Sequence, residues 1–196
     1  MNKEDTTFLS NLKWRRAEKH FTPGKVNTKL IEEAIINAPS SYGMQPYHVI
    51  RILDKDTKEK LKPHCYNQSQ ITECYALYIF CAYKDLKARM NQYIELTGFE
   101  NKRKSILTYL SILPSKVGWA KQQAYLALGY GLAAASELKI ASCPMEGFIP
   151  DEVAKVLNLD NNLEVCVLLA IGRQLPESKD YKLEPRFRFK DIIEKR

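Results

Sequence analysis

Residues 116–139 read KVGWAKQQAYLALGYGLAAASELK, and from Ala124 to Ala135 the stretch is apolar at nearly every position. Residues Gln122 to Leu128 are helix formers with no β-branched residue among them. The spacing therefore predicts one long helix. A helix that is apolar all round has to be covered on every side. In a chain of 196 residues, covering so long a helix is easier if a second subunit lies on part of it. The small residues Gly129, Gly131, Ala133, Ala134 and Ala135 permit close approach. The expectation is a homodimer with this helix at or near the interface. A central helix in a monomeric core is the plainer alternative. The run Gly129-Tyr130-Gly131-Leu132-Ala133-Ala134 also matches the dinucleotide pattern G-x-G-x-x-A. That pattern works between a strand and a helix, and here it falls inside the helix, so a Rossmann reading is dismissed.

Around this helix lie three strand candidates. Tyr75 to Tyr83 is almost continuously apolar, as expected of a strand buried on both faces. His48 to Leu53 is a second, and Leu163 to Ile171, closed by Gly172, a third. Residues 28–38 repeat Leu30, Ile31, Ala34, Ile35 and Ala38 at helical spacing, with Thr28 as a cap and Pro39 as a stop. Residues 85–113 read as one or two helices, broken near Thr97-Gly98 and stopped by Pro114. Strands and helices do not alternate regularly, which predicts an α+β fold. There is no repeat, low-complexity tract or linker, so residues 1–196 are read as a single domain.

Composition narrows the function classes. No apolar run reaches the ~20 residues of a membrane-spanning helix. The charged start, Met1 to Asp5, gives no sign of a secretory signal, so a cytoplasmic protein is expected. Cys65, Cys74, Cys81, Cys143 and Cys166 are odd in number and lack C-x-x-C spacing, which predicts buried reduced thiols rather than disulfides or a metal site. The net charge of +7 sits at two ends, +4 in residues 13–25 and +3 in residues 182–196. Such compact ends suit two halves of an anion site better than a nucleic-acid footprint, though on charge alone solvated termini are the simpler reading. No P-loop, G-x-S-x-G elbow or metal-spaced histidine pair occurs. If the protein is an enzyme, a cofactor does the chemistry.

Four stretches stand out: Arg15-Arg16-Ala17-Glu18-Lys19-His20-Phe21, Ala38-Pro39-Ser40-Ser41-Tyr42-Gly43-Met44-Gln45-Pro46-Tyr47, Pro144-Met145-Glu146-Gly147-Phe148 and Pro185-Arg186-Phe187-Arg188-Phe189. Singly they read as a charged cap, a turn, a helix-entry loop and a basic tail. In this order and spacing, with Trp119, Gln123 and the apolar helix between them, the chain resembles the FMN-dependent nitroreductase family from about Leu12 to Ile193.

The resemblance implies a central mixed, mostly antiparallel sheet flanked by helices, and an obligate homodimer with FMN at the subunit interface. It implies that Arg15, Arg16, Arg186 and Arg188 hold the phosphate and that Lys19 lies near the flavin pyrimidine. Asn67 and Gln70 would bond the pyrimidine edge. Gln70 stands where many relatives have lysine. Pro39, Ser40, Ser41 and Gly43 would reach FMN from the other subunit, with Gly43 replacing an asparagine of some members. Ala17 replaces a serine common in the first motif. Pro144, Glu146 and Gly147 match a loop whose backbone N–H groups face flavin N5, with no need for the Glu146 side chain to act. Residues 91–115 would cover the acceptor side, with Phe99 and Tyr109 as stacking candidates, and residues 182–196 would extend toward the partner. The implied reaction is ping-pong hydride transfer from NADH or NADPH to nitroaromatics, quinones or similar acceptors, with no metal, nucleic acid or membrane. A flavin-binding protein without turnover, a specialised member such as a pteridine reductase, and a basic helical nucleic-acid binder are the rival expectations.

Overall fold

The strand β5 (Leu163–Gln174) organises the molecule, a computed structural model that describes residues 6–176 and 185–194. Along one edge β5 pairs antiparallel with β3 (Ala76–Tyr83), which in turn pairs with β2 (Tyr47–Ile52). Along the other edge two short strands lie end to end. β1 (Phe21–Thr22) takes Arg173 and Gln174, and β4 (Ala141–Met145) takes Leu168 to Gly172. All these pairings are antiparallel; among the described residues the one parallel contact is an isolated bridge between Ala17 and Ser142.

The sheet is covered on both faces, which is why β3 reads as continuous apolar sequence. Leu77, Ile79 and Cys81 face a cluster with Leu61, Ile71 and Val153. These come from α3 (Lys55–Leu61), α4 (Gln70–Glu73) and α8 (Pro150–Val156). Ala76, Tyr78 and Phe80 face Ile31, Ile35, Ala124, Ala127 and Leu128. Those belong to α2 (Lys29–Ile36) and α7 (Lys116–Glu137). A register shift between Phe80 and Cys81 sets Phe80 opposite Val167 and Cys81 opposite Val165, leaving Cys166 as the extra residue. The bulge lets Val165 share a face with Leu168 and Ala170 despite their odd spacing. A third cluster joins Met44, Met90, Ile106, Leu110 and Trp119 between α5 (Leu86–Thr97), α6 (Arg103–Ile112) and the start of α7. Two peripheral helices, α1 (Thr7–Trp14) and α9 (Phe189–Ile192), complete the described elements. Among the described residues no helix is long and apolar enough to cross a membrane.

Several sequence expectations need adjusting. Thr28 does not cap α2 through its side chain; its hydroxyl donates instead to Glu32 Oε1 at 2.8 Å. Gly172 does not close β5, which runs on to Gln174. It is a point of close approach, because a Cβ there would lie 2.6 Å from the Phe21 ring. Pro144, read within a loop, lies in β4, two residues beyond the Ala17–Ser142 bridge and on the edge away from β5, where the missing N–H costs no ladder bond. Residues of α3 and β1 carried no strong pattern. All five cysteines are free, four buried and Cys166 half-buried. Burial pushes the thiols of Cys65 and Cys74 up to about 11.

The single chain leaves part of α7 uncovered. Its own chain covers one side only. Tyr125, Leu126 and Tyr130 are 38%, 45% and 44% exposed. With Phe8, Ala34 and Ala133 they line an apolar groove of about 1090 Å³.

The contact at Gly172 yields a stability test. Gly172→Ala forces the added methyl into the Phe21 ring and destabilises the fold by about 1–3 kcal/mol. Thermal or urea unfolding measures the loss, and unchanged stability would show that β1 yields freely.

Candidate functional site

Segment 15–20 follows α1 and runs beside β4. The Ala17–Ser142 bridge and a bond from Glu18 N–H to Ser142 O at 3.1 Å fix its position. The buried Glu18 carboxylate lies 3.6 Å from Arg16 Nε. This backbone clamp turns Lys19 across the strand, where Nζ comes to 3.8 Å from Cys143 Sγ. Opposite it, α4 carries the buried Gln70, whose Nε2 lies 4.0 Å from the same sulfur. Burial pushes the Cys143 thiol up, and Lys19, Gln70 and Arg15 each pull against that rise. Two basic side chains and one amide donor are thus within electrostatic reach of one point on β4.

The neighbouring loop is fitted to that point. Gln70 Nε2 donates to Gln68 Oε1 at 3.1 Å, and Gln68 Nε2 donates to Gly147 O at 2.7 Å. A Cβ on Gly147 would sit 2.9 Å from Gln68 Nε2 and 3.6 Å from the Tyr66 ring, so the missing side chain lets Gln68 and Tyr66 pack directly on the loop backbone. Tyr66 and Asn67 both have positive φ, 52° and 54°, which makes the sharp turn before α4. Ile149 N–H bonds His64 O at 2.9 Å and ties the second loop to the first. Pro144 lies at the end of β4 and Glu146 just beyond it. The Glu146 side chain, for which the sequence assigned no task, accepts from Tyr125 Oη at 2.5 Å. Burial and the Glu146 carboxylate push the Tyr125 phenol well above its ordinary value. The loop is thereby bonded to the exposed face of α7.

The predicted residues fall into three groups. Arg15, Arg16, Ala17, Lys19, Gln70 and Pro144 lie at or beside β4, with Glu146 and Gly147 in the loop that follows it and Asn67 in the turn before α4 that packs on that loop through Gln68. Pro39, Ser40, Ser41 and Gly43 rest instead on α7 and the α5–α6 pair. Ser41 N–H bonds Gln123 Oε1 at 3.0 Å, and Gly43 faces the Tyr93 ring. The segment 185–194 is exposed throughout. There Arg188 Nε bonds Asp191 Oδ2 at 3.0 Å, and Arg186 Nη1 bonds Pro185 O at 3.2 Å. The expected extension 182–196 falls partly on residues 182–184, 195 and 196, which lie outside the described residues.

Of the stacking candidates, Tyr109 packs between Tyr42 and Trp119, at 5.5 and 5.9 Å between ring centroids. Phe99 is 45% exposed and carries Lys102 Nζ over its ring, 4.2 Å from the centroid. Sequence reasoning missed Gln68 and Cys143, which are unremarkable residue types in weakly patterned stretches. Among the described residues no cluster of three or more His, Cys, Asp or Glu could hold a metal ion.

Known proteins resemble this chain in sequence and in fold. The sequence model of the nitroreductase family matches residues 12–173. A Staphylococcus haemolyticus protein provisionally named an NAD(P)H nitroreductase is 30% identical, with 99% of each chain covered. The oxygen-insensitive NADPH nitroreductase of Helicobacter acinonychis is 25% identical, with 86% of each chain covered. A provisionally assigned nitroreductase of Exiguobacterium sibiricum, crystallised in complex with FMN, superposes with a TM-score of 0.82 over 100% of both chains. At 20% identity that likeness is one of fold. By sequence model, overall similarity and fold, this chain belongs to the nitroreductase family.

Proposed function

We propose that the protein is a homodimeric, FMN-dependent oxidoreductase that takes electrons from NADH or NADPH and passes them to small electron-poor acceptors. The observation that carries this reading is the convergence of Lys19 and Gln70 on one point of β4, within reach of Arg15 and beside Arg16. The donor set fits FMN. Guanidinium groups suit a phosphate dianion, and an ammonium with an amide donor suits the polar edge of a flavin ring. Bound there, FMN would supply the hydride chemistry, with no acid or base required of the protein.

The chain's own part is positioning. Lys19 is carried by a backbone clamp, so its charge stands ready where negative charge would develop, without reorganisation. Gln70 is buried and bonded to Gln68, which fixes its amide. Tyr125 fixes the loop of Glu146 and Gly147 from the side of α7.

The apolar groove on α7 supports the dimer. Its size and lining suit a second copy better than water. A partner seated there would bring its loop of Pro39, Ser40, Ser41 and Gly43, carried on its own α7, toward the β4 site. Arg186 and Arg188 stand on an exposed segment that would complete the anion site on assembly. In this reading residues 1–196 act as one domain, with residues 91–115 over the acceptor side. Free thiols suit the reducing cytoplasm.

Two experiments bear on this. Protein supplied with FMN should be yellow and bleach under anaerobic NADH or NADPH. Arg15→Ala should weaken FMN binding by about tenfold, the loss of a charge-assisted bond. A protein that takes up no FMN would contradict the cofactor reading; an unbleached flavin would contradict turnover. Leu126→Asp should give a monomer in analytical ultracentrifugation and lose FMN with it. A flavin-loaded dimer in that variant would refute the interface on α7.

A further inference from the structure

We propose that Tyr42, Tyr109 and Lys102 form the acceptor subsite and that it favours planar acceptors carrying a negative group. The inference rests on the oxidoreductase reading above and adds the acceptor's chemical class. It starts from backbone strain. Tyr42 has φ 59° and ψ 0°, a left-handed conformation that bulky residues avoid. Gly43 and Gln45, at φ 75° and 43°, continue the unusual path. The loop is held there by several bonds. Ser41 N–H donates to Gln123 Oε1, Gln45 N–H to Ser40 Oγ at 2.9 Å, Gln45 Nε2 to Ile36 O at 2.6 Å and Arg89 Nε to Gln45 O at 3.0 Å.

The strain serves no burial. Tyr42 is 36% exposed, and its hydroxyl makes no hydrogen bond among the described residues. What the loop achieves is a ladder of rings from core to surface: Trp119 buried, Tyr109 half-buried, Tyr42 outermost. An aromatic side chain held outward at such cost offers a stacking face.

A cation stands beside that ladder. Gly43 faces Tyr93, whose Oη lies 3.3 Å from Lys102 Nζ, and Lys102 in turn sits over the Phe99 ring. Its neighbours are committed. Arg89 bonds Gln45 O and Gln92, and Arg103 bonds Glu100 and Asn91. Lys102 has no carboxylate partner among the described residues. Rings and a phenol hold its charge in place without neutralising it. An acceptor lying on Tyr42 with a carboxylate or sulfonate on its ring would meet that charge.

The test uses the FMN-loaded enzyme at saturating NADPH with 4-nitrobenzoate and the neutral 4-nitrobenzamide. The ratio of kcat/KM, charged over neutral acceptor, should fall about fivefold in Lys102→Gln, carried in KM and flattened by added salt. Tyr42→Gly should raise KM for both acceptors while leaving Tm equal or higher, because the strained residue is gone. Loss of a merely structural lysine would move both acceptors together, and an unchanged ratio in Lys102→Gln overturns the proposal. Wild-type flavin that never bleaches is a separate failure, that of the oxidoreductase reading.

Discussion

The edge of β5 is the constraint on which the rest depends. Along that edge β4 and β1 lie end to end, and the segment between α1 and β1 has no other path than beside β4. Its backbone is pinned by Ser142 O and by the Phe21 ring pressed on Gly172. Arg15, Arg16 and Lys19 therefore reach the strand as a consequence of backbone pairing, with the Arg16–Glu18 ion pair beside it. The bulge at Cys166 works to the same end. It keeps both faces of β5 apolar while the strand stays long enough to carry three partners.

The second constraint is α7. One side of it is filled by α2 and the sheet, with Gly131 so close to Ile35 that a Cβ would lie 2.9 Å from its Cγ1. The other side is apolar and open. The two sides carry the two halves of the candidate site. Gln123 holds the loop of Ser40 and Ser41, and Tyr125 holds the loop of Glu146 and Gly147. Covering the open side and completing the site are one event in the proposed dimer, so cofactor binding and association are linked free energies.

Much of this was legible in the sequence. Helical spacing located α2, α5, α6 and α7, and unbroken apolarity located β3, because burial on both faces leaves no room for polar residues. Within one chain Lys19 and Gln70 meet at β4, while the loop of Ser40 and Ser41 rests on α7 and the segment of Arg186 and Arg188 stays exposed. Other parts were illegible for physical reasons. β4 contains Pro144 and small residues, and its strand character comes from its pairing with β5. Gly172 looks like a terminator, but its lack of a side chain answers a neighbour 151 residues away in sequence. The apolarity of α7 gave no hint of which face stays open. Phe99 was read by residue type, and the cation over its ring comes from a lysine three positions on. Cys143 and Gln68 acquire their place only through tertiary contacts.

The central claim is that each site is shared between two chains. Subunit mixing tests it most directly. One variant loses the β4 half of the site, through Arg15→Ala with Lys19→Ala, and the other loses the loop half, through Ser40 and Ser41 changed to bulky residues. Each homodimer should be inactive. Unfolded together and refolded as a random mixture, they should recover about a quarter of wild-type activity, since half the dimers are mixed and each mixed dimer holds one intact site of two. Mixing that recovers nothing, with heterodimers demonstrably formed, would contradict the shared site.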